Sequence, residues 1–221
     1  MKLEAFAVKG LFVSFEGPEG AGKTTQIMLV RNFLQAQGIP CVTYREPGGT
    51  RIGDAIREIL LNPELTEMKP RTEMLLYAAS RAQLVEQEIL PALTKGYTVL
   101  CDRYVDSSIV YQSIGANWEL EEVIAVNQIA TGNLKPHRTY LLDLPVELSQ
   151  KRLQARNQRD RMELKDVSFH SRVREGYLSL AKKEPERFRM IKAIGNIEDI
   201  GKQIANDLLD LVKESQANHN F

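Results

Sequence analysis

Segment 15–26 (FEGPEGAGKTTQ) contains three glycines within six residues, followed by a lysine and two threonines, a composition suited to holding phosphate. It fits the pattern G-x-x-x-x-G-K-[ST], the P-loop, with the fixed positions at Gly17, Gly22, Lys23 and Thr24. Glycines let phosphate oxygens approach the chain, and successive N–H groups at a helix N-terminus form an anion-binding nest. The expected contacts of a nucleoside triphosphate are Gly17, Pro18, Glu19, Gly20, Ala21, Gly22, Lys23, Thr24 and Thr25.

Two oxygen-bearing side chains are suited to a metal site beside this loop. We expect Lys23 to bridge the β- and γ-phosphates and the Thr24 hydroxyl to ligate Mg²⁺. Asp102 follows the apolar run of VLCDRY, the usual position of the aspartate that faces a P-loop. Asp143, at the end of YLLD, is the alternative, but Arg103 favours Asp102 because it offers a charge-assisted contact to phosphate. The motif alone does not separate kinases, GTPases and motor ATPases.

The elements around these residues alternate between strands and helices. Apolar runs predict strands at 11–15, 41–44, 97–101, 139–144 and 187–191. Helical periodicity and end signals predict helices at 24–36, 51–61, 72–90, 107–112, 120–131, 145–156, 167–183 and 197–212. Pro91 is expected to end the 72–90 helix, and Pro145 to lie in the first turn of the helix that follows it. This alternation predicts right-handed βαβ units and an α/β fold with a parallel sheet.

The composition bounds the class of protein. The 221 residues fit one domain, 1–221, and 43% hydrophobic residues can form a sizeable core. Twenty-nine basic residues balance twenty-nine acidic ones, which argues against a general nucleic-acid or membrane-surface binder. No apolar run is long enough for a membrane span or a signal peptide, so we expect a cytoplasmic protein. Cys41 and Cys101 are expected to be buried thiols, and residues 214–221 a polar tail.

Four segments together resemble bacterial thymidylate kinase. FEGPEGAGKTT, YREPGGT, YAASR and DRYVDSSIVYQ occur in this order and at familiar separations, and the resemblance runs from about residue 11 to 209. It implies transfer of the γ-phosphoryl group of ATP to dTMP, giving dTDP and ADP, with Mg²⁺, in dTTP synthesis. It also implies a P-loop NTPase fold with a five-stranded parallel sheet flanked by helices, a small arginine-rich lid, and a homodimer.

An aromatic ring and a guanidinium fall on one face of the 72–90 helix. Tyr77 and Arg81 are four residues apart, so they can stack on a base and donate to its edge. Arginine only donates, which suits the O4 carbonyl of thymine and disfavours the amino group of cytosine. The family usually has phenylalanine at the position of Tyr77, and tyrosine keeps the ring.

The remaining acceptor contacts follow from the resemblance. Ser108, Tyr111 and Gln112 share a helical face and make a poor core stripe, because each needs hydrogen-bond partners if buried. The resemblance implies that Ser108 and Gln112 contact thymine and that Tyr111 packs under the sugar, leaving little room for a 2′-hydroxyl. It also implies that Arg45 and Arg103 hold the acceptor phosphate and that further contacts come from Glu19, Glu46, Arg57 and Ser107.

The P-loop itself contains no arginine, so positive charge for phosphoryl transfer must come from elsewhere. Segment 151–164 is rich in arginine, and Arg152, Arg156 and Arg159 share one helical face. A solvated charged helix is the alternative to a closing lid. The resemblance implies that Arg152 stacks on adenine, that Arg156 and Arg159 contact the transferring group, and that Arg161 is a further candidate.

One departure from the family concerns the adenine pocket. In MIKAIGN, Lys192 takes the place of an aspartate that relatives often carry before alanine. The nearest alternative to dTMP as acceptor is another nucleoside monophosphate, such as dUMP or UMP. A regulatory GTPase would carry N-K-x-D and D-x-x-G motifs, which the sequence lacks, and a nucleic-acid motor is disfavoured by the short chain and its charge balance.

Overall fold

The computed structural model describes residues 9–115, 118–155 and 160–218. Within these residues five strands form one parallel sheet in the order β2-β3-β1-β4-β5. The strands are β1 Phe12–Glu16, β2 Cys41–Arg45, β3 Thr98–Asp102, β4 Arg138–Asp143 and β5 Phe188–Lys192. The five-stranded parallel sheet expected from the resemblance is therefore confirmed.

Helices cover both faces of the sheet. The helices are α1 Lys23–Ala36, α2 Arg51–Leu61, α3 Pro70–Leu84, α4 Leu90–Thr94, α5 Val105–Ser108, α6 Leu120–Thr131, α7 Val146–Gln154, α8 Val167–Lys183 and α9 Ile197–Asn218. Two π-helical segments, Val85–Ile89 and Ile109–Gly115, follow α3 and α5. None of the described helices is both long and apolar enough to cross a membrane.

The central strand β1 contributes to two of the three hydrophobic clusters among the described residues. Successive side chains of a strand point to opposite faces, and every residue of β1 is buried. Val13 and Phe15 join the cluster beneath α1 and α9, whereas Phe12 joins the cluster beneath α3 and α4. Each such buried apolar side chain stabilises the fold by about 1.5–3 kcal/mol. The result is a rigid sheet whose carboxyl edge can position loops.

Several element boundaries differ from the sequence prediction. Pro91 does not end the 72–90 helix: helical residues continue from α3 through the π-helical segment Val85–Ile89 into α4, where Pro91 is the second residue. Pro145 caps α7 rather than entering it. The last helix was expected to end at 212, but α9 continues to Asn218, through most of the segment expected to be a polar tail. Cys41 and Cys101 are buried free thiols, as expected.

Candidate active site

The P-loop connects β1 to α1 at the carboxyl edge of the sheet. Gly17 and Gly22 have φ of 134° and 90°, a region that favours glycine. A Cβ at Gly17 would lie 2.4 Å from the Leu142 carbonyl oxygen, so the loop's first turn also needs glycine for space. Gly22 is the N-cap residue of α1, and the free N–H groups of that helix therefore face the loop. The loop therefore has the backbone shape and the free N–H groups that could hold a phosphate.

Lys23 is folded over the loop that precedes it. Its Nζ donates to the carbonyl oxygens of Gly17 and Pro18 at 3.0 and 2.9 Å, and the side chain is buried. Burial, with the nearby charge of Arg103, lowers the pKa of Lys23 to about 8. The ammonium is thus held within the P-loop, where phosphate oxygens would meet it.

Thr24 and Asp102 place two side-chain oxygens together beside the loop. The Thr24 hydroxyl donates to Asp102 Oδ2 at 2.6 Å, and both residues line the main cavity. The alternative, Asp143, is held by Arg174 through two hydrogen bonds of 2.7 and 3.0 Å. Among the described residues no three His, Cys, Asp or Glu side chains are placed to hold a metal. A hydroxyl and one carboxylate fit Mg²⁺, which usually takes its other ligands from phosphates and water.

Arg103 lies at the centre of the site in a left-handed backbone conformation, with φ of 70°. Such a conformation is uncommon for a residue other than glycine and is often found at functional sites. Its Nη1 is 3.1 Å from Gly17 O, Ser107 Oγ and Tyr177 Oη, and its Nη2 donates to Glu19 Oε1 at 3.0 Å. Arg103 is therefore fixed against the P-loop.

Glu19 is the P-loop carboxylate that holds Arg103. Burial alone would raise the pKa of Glu19, but the charge of Arg103, the neighbouring His170 and Lys23, and a hydrogen bond from Tyr111 keep this pKa well below its usual range. Tyr111 donates its hydroxyl to Glu19 Oε1, and Arg103 lies over the Tyr111 ring at 5.2 Å. Glu19 is consequently an anion at neutral pH that orders both neighbours.

One cavity of about 740 Å³ joins the P-loop to the predicted acceptor residues. On the P-loop side it is lined by Glu19, Gly20, Gly22, Lys23, Thr24 and Thr25. On the acceptor side it is lined by Arg45, Glu46, Arg57, Tyr77, Arg81, Arg103, Ser107, Ser108, Tyr111 and Gln112. Every residue that the sequence analysis assigned to the acceptor thus borders the same space as the P-loop.

Two arginines give the acceptor side a positive charge. Arg57 Nη1 donates to the carbonyl of Pro47 at 2.8 Å, which follows a cis peptide bond with Glu46. Burial and the neighbouring charge of Arg45 lower the pKa of Arg57. Two guanidiniums that repel each other across a cavity favour an anion between them.

Arg81, which the sequence analysis expects to donate to the edge of a base, already has protein partners. It is buried, and its Nε and Nη2 contact Glu46 Oε2. Its Nη1 donates to Ser108 Oγ at 2.8 Å and to Asn127 Oδ1, and its Nη2 also donates to the Tyr104 carbonyl at 3.2 Å. These five contacts match the five N–H groups of a guanidinium. Arg81 therefore holds the pocket wall, and a contact to a base requires exchange of one of these partners.

The arginine-rich segment is described only in part. Arg156 and Arg159 lie outside the described residues. Arg152 donates to the carbonyls of Gly20 and Ala193 at 2.9 and 3.2 Å, so it bridges the P-loop and the loop after β5. Arg161, the further lid candidate, instead donates to the Leu60 carbonyl at 2.9 Å and pairs with Glu73. The Arg161 interactions tie the end of the segment to α2 and α3.

Several site residues were not found from the sequence. Asp160, Met162 and Glu163 line the cavity, and the charged run RDRMELK was the available signal. Other missed residues act behind the lining, and no local pattern marks them because their partners are far away in the sequence. These are Glu16, Asn127, His170 and Tyr177.

The fold and the site together are those of a P-loop nucleotide kinase: a P-loop after the central strand, the oxygens of Thr24 and Asp102 beside it, and an arginine-lined cavity that reaches both. The family model described as thymidylate kinase matches residues 15–204. The chain therefore belongs to the thymidylate kinase family, a family of transferases.

Curated relatives cover nearly the whole chain. A thymidylate kinase of Exiguobacterium sibiricum is 48% identical over 94% of this chain and 98% of the relative. A thymidylate kinase of Caldanaerobacter subterraneus subsp. tengcongensis is 47% identical over 93% and 98% of the two chains. A thymidylate kinase of Kosmotoga olearia is 42% identical over 92% and 98%. The similarity therefore includes both the P-loop and the acceptor side.

Proposed function

We propose that this chain transfers the γ-phosphoryl group of ATP to dTMP, giving dTDP and ADP, in the synthesis of dTTP. Membership of the thymidylate kinase family supports this proposal. The observation that carries it is the single cavity of about 740 Å³ that places a P-loop and an acceptor pocket face to face. Phosphoryl transfer needs donor and acceptor in line, with positive charge around the transferring group.

ATP is assigned to the P-loop side of the cavity. Backbone N–H groups from Gly20 to Thr25 would hold its phosphates, with Lys23 as the charged contact. Arg152, which bridges Gly20 and the loop after β5, would lie beside the adenine. Lys192 ends β5 at that loop, so this edge differs from relatives that carry an aspartate there.

Mg²⁺ is assigned to Thr24 and Asp102, whose oxygens are 2.6 Å apart in a shared hydrogen bond. When bound there, the ion would neutralise charge that develops on the donor phosphates. The protein's part is to hold a hydroxyl in the first turn of α1 and a carboxylate at the end of β3. The two hydrogen bonds that Asp143 accepts from Arg174 support Asp102 over Asp143 in this role.

The acceptor phosphate is assigned to Arg45, Arg57 and Arg103. Arg103 is fixed by Glu19 and the P-loop carbonyl of Gly17, so it is pre-organised between donor and acceptor. The phosphate of dTMP is already anionic at neutral pH, so the reaction needs no strong general base. Arg156 and Arg159, outside the described residues, are proposed to complete the charge when the lid closes over the site and excludes water.

The base and sugar are assigned to the pocket between α3 and the π-helical segment Ile109–Gly115. Tyr77 offers a ring for stacking, and Tyr111, held by Glu19, would lie under the sugar. Gln112 lines the cavity, and its Oε1 is buried without a hydrogen-bond partner among the described residues. Such an acceptor matches the N3–H of thymine, whereas cytosine presents a lone pair at N3. Ser108 Oγ accepts from Arg81 Nη1, so the hydroxyl hydrogen of Ser108 is left to donate to the O4 carbonyl.

We also propose a cytoplasmic homodimer. Exposed apolar side chains lie on α2, α3 and α6, namely Ile52, Ile59, Leu75, Ile124 and Ile129. Apolar residues on neighbouring helices support an interface between two copies. Size measurement in solution, with Ile129→Glu expected to favour the monomer, tests this assignment.

The function is tested by ADP release with Mg²⁺-ATP and five acceptors: dTMP, dUMP, dGMP, dCMP and CMP. We expect dTMP to give by far the highest kcat/KM. Preference for dUMP would favour the alternative, a kinase of another nucleoside monophosphate. ATP turnover that ignores all five acceptors would contradict the acceptor assignment while leaving the P-loop assignment intact.

A further inference from the structure

Glu16 is a buried carboxylate that the proposed mechanism leaves unused. It ends β1 directly before the P-loop and is fully buried. Its Oε1 accepts the backbone N–H of Tyr104 at 2.7 Å. Its Oε2 accepts the hydroxyls of Ser107 and Tyr177 at 2.6 and 3.1 Å. Three donors from different elements hold this carboxylate in one orientation.

The same two hydroxyls face Arg103. Arg103 Nη1 lies 3.1 Å from Ser107 Oγ and 3.1 Å from Tyr177 Oη. A hydroxyl has one hydrogen to donate and two lone pairs that accept. The Ser107 and Tyr177 oxygens are 2.8 Å apart. Either both hydroxyls donate to Glu16, or one donates to the other, which then donates to Glu16. In either arrangement the lone pairs are left for the guanidinium.

Glu16 also fixes the backbone that carries Arg103. The left-handed conformation at Arg103, with φ of 70°, must be held by its surroundings. The N–H of Arg103 donates to Phe15 O at 3.0 Å, and the next N–H, of Tyr104, donates to Glu16. One carboxylate therefore anchors both the main chain beside Arg103 and two acceptors of its side chain.

We propose that Glu16 is a positioning residue for Arg103: by taking the hydroxyl hydrogens of Ser107 and Tyr177, it directs both oxygens to accept from the guanidinium. This inference rests on the proposed function, because it takes Arg103 as the arginine that holds the acceptor phosphate. Tyr177 belongs to α8, the helix that follows the predicted lid, so the contact also joins α8 to the pocket.

Glu16→Gln tests the direction of these hydrogen bonds with almost no change of shape. The N–H of Tyr104 is a fixed donor, so the amide oxygen must take the Oε1 position. The NH₂ group then faces Ser107 and Tyr177 and donates to them. The hydroxyl hydrogens of Ser107 and Tyr177 must then point away from residue 16. Because the guanidinium of Arg103 only donates, it cannot accept these hydrogens.

The experiment compares wild type, Glu16→Gln, Arg103→Ala and the double variant in steady-state assays with Mg²⁺-ATP and dTMP at pH 8, where Glu16 is ionised. We expect Glu16→Gln to lower kcat/KM for dTMP by about 10- to 100-fold, the range found when a partner that orients a site residue is lost. KM for ATP should change little. In the Arg103→Ala background the same substitution should have almost no further effect, because its effect passes through Arg103.

A matched control and a second variant keep the test decisive. Tyr140→Phe removes another buried hydroxyl that donates to a carboxylate, Asp207 Oδ2 at 2.6 Å, outside the cavity lining; it should keep wild-type kinetics. If Glu16→Gln does not fold, Tyr177→Phe is tested in its place. It should lower kcat/KM for dTMP in the wild-type background and have almost no further effect in the Arg103→Ala background.

Glu16→Gln kinetics within twofold of wild type, or a loss that multiplies with that of Arg103→Ala, would overturn the positioning role alone. A wild-type protein that does not phosphorylate dTMP would overturn the proposed function and this inference with it.

Discussion

The hydroxyl of Thr24 donates to Asp102 Oδ2 across 2.6 Å and so joins the first turn of α1 to the end of β3. Parallel pairing of β1 with β3, with Phe15 opposite Asp102, brings the two residues together although 78 positions separate them. The sheet's register therefore determines which aspartate faces the P-loop.

Asp102→Asn should reduce turnover by about 100-fold or more, because a metal that neutralises developing charge contributes several kcal/mol. The measurement is kcat as a function of Mg²⁺ concentration, and the half-saturating concentration should also rise. Asp143→Asn is the matched control, since Asp143 also ends a strand but pairs with Arg174. Equal losses in the two variants would contradict the metal assignment.

Arg103→Ala should cost far more turnover than Arg161→Ala. Arg103 faces the cavity between donor and acceptor, whereas Arg161 donates to the Leu60 carbonyl and pairs with Glu73. Arg161→Ala should instead lower the free energy of unfolding by about 1–3 kcal/mol, since it leaves Glu73 largely buried without its cation. Kinetics and chemical denaturation of both variants separate these effects; equal losses of kcat would refute the assignment.

Gln112→Leu should weaken the choice of thymine over cytosine. The substitution removes the buried Oε1 acceptor, so we expect KM for dTMP to rise about tenfold, the effect of losing one hydrogen bond of roughly 1.4 kcal/mol. The dTMP-to-dCMP ratio of kcat/KM should fall, while KM for ATP stays constant. Gln83→Leu on α3 makes the same chemical change outside the cavity lining and serves as control. An unchanged ratio would exclude Gln112 from base recognition.

Glu16 should make stability depend on pH. Burial, with the nearby charge of Asp106, raises the pKa of Glu16 from 4.5 to about 7. The folded protein thus keeps a proton that the unfolded chain loses, so this contribution to stability is complete below pH 4.5 and is lost as pH rises towards 7. Relative to Glu16→Gln, wild type should lose up to about 3 kcal/mol of unfolding free energy across this window. Urea unfolding at pH 5 and pH 8 measures it, and a constant difference between the proteins would contradict the shift.

Local features of the chain were well predicted from sequence. The P-loop, five strands and most helices depend on glycine positions and apolar periodicity within a few residues. Tertiary contacts do not override these local signals here. The order of segments along the chain also brought all the predicted acceptor residues to one cavity. The π-helical segments were not predicted, because a helical pattern of side chains does not distinguish a π-helix from an α-helix.

Partners far apart in sequence were the part that could not be predicted. Arg81 reads as a free donor on its helix, but Asn127, 46 positions away, occupies one of its N–H groups. Tyr177 and Glu16 are 161 positions apart and meet only because α8 packs over the P-loop. The positive φ of Arg103 depends on such contacts, and the type of residue at this position does not reveal it.

The most direct test of the account follows the transferred group itself. The protein is incubated with ATP labelled at the γ-phosphate, Mg²⁺ and dTMP, and the nucleotides are separated from inorganic phosphate. The account predicts that the label appears on dTDP in step with ADP formation. Label released mainly as inorganic phosphate, or left on ATP with no dTDP formed, would contradict it.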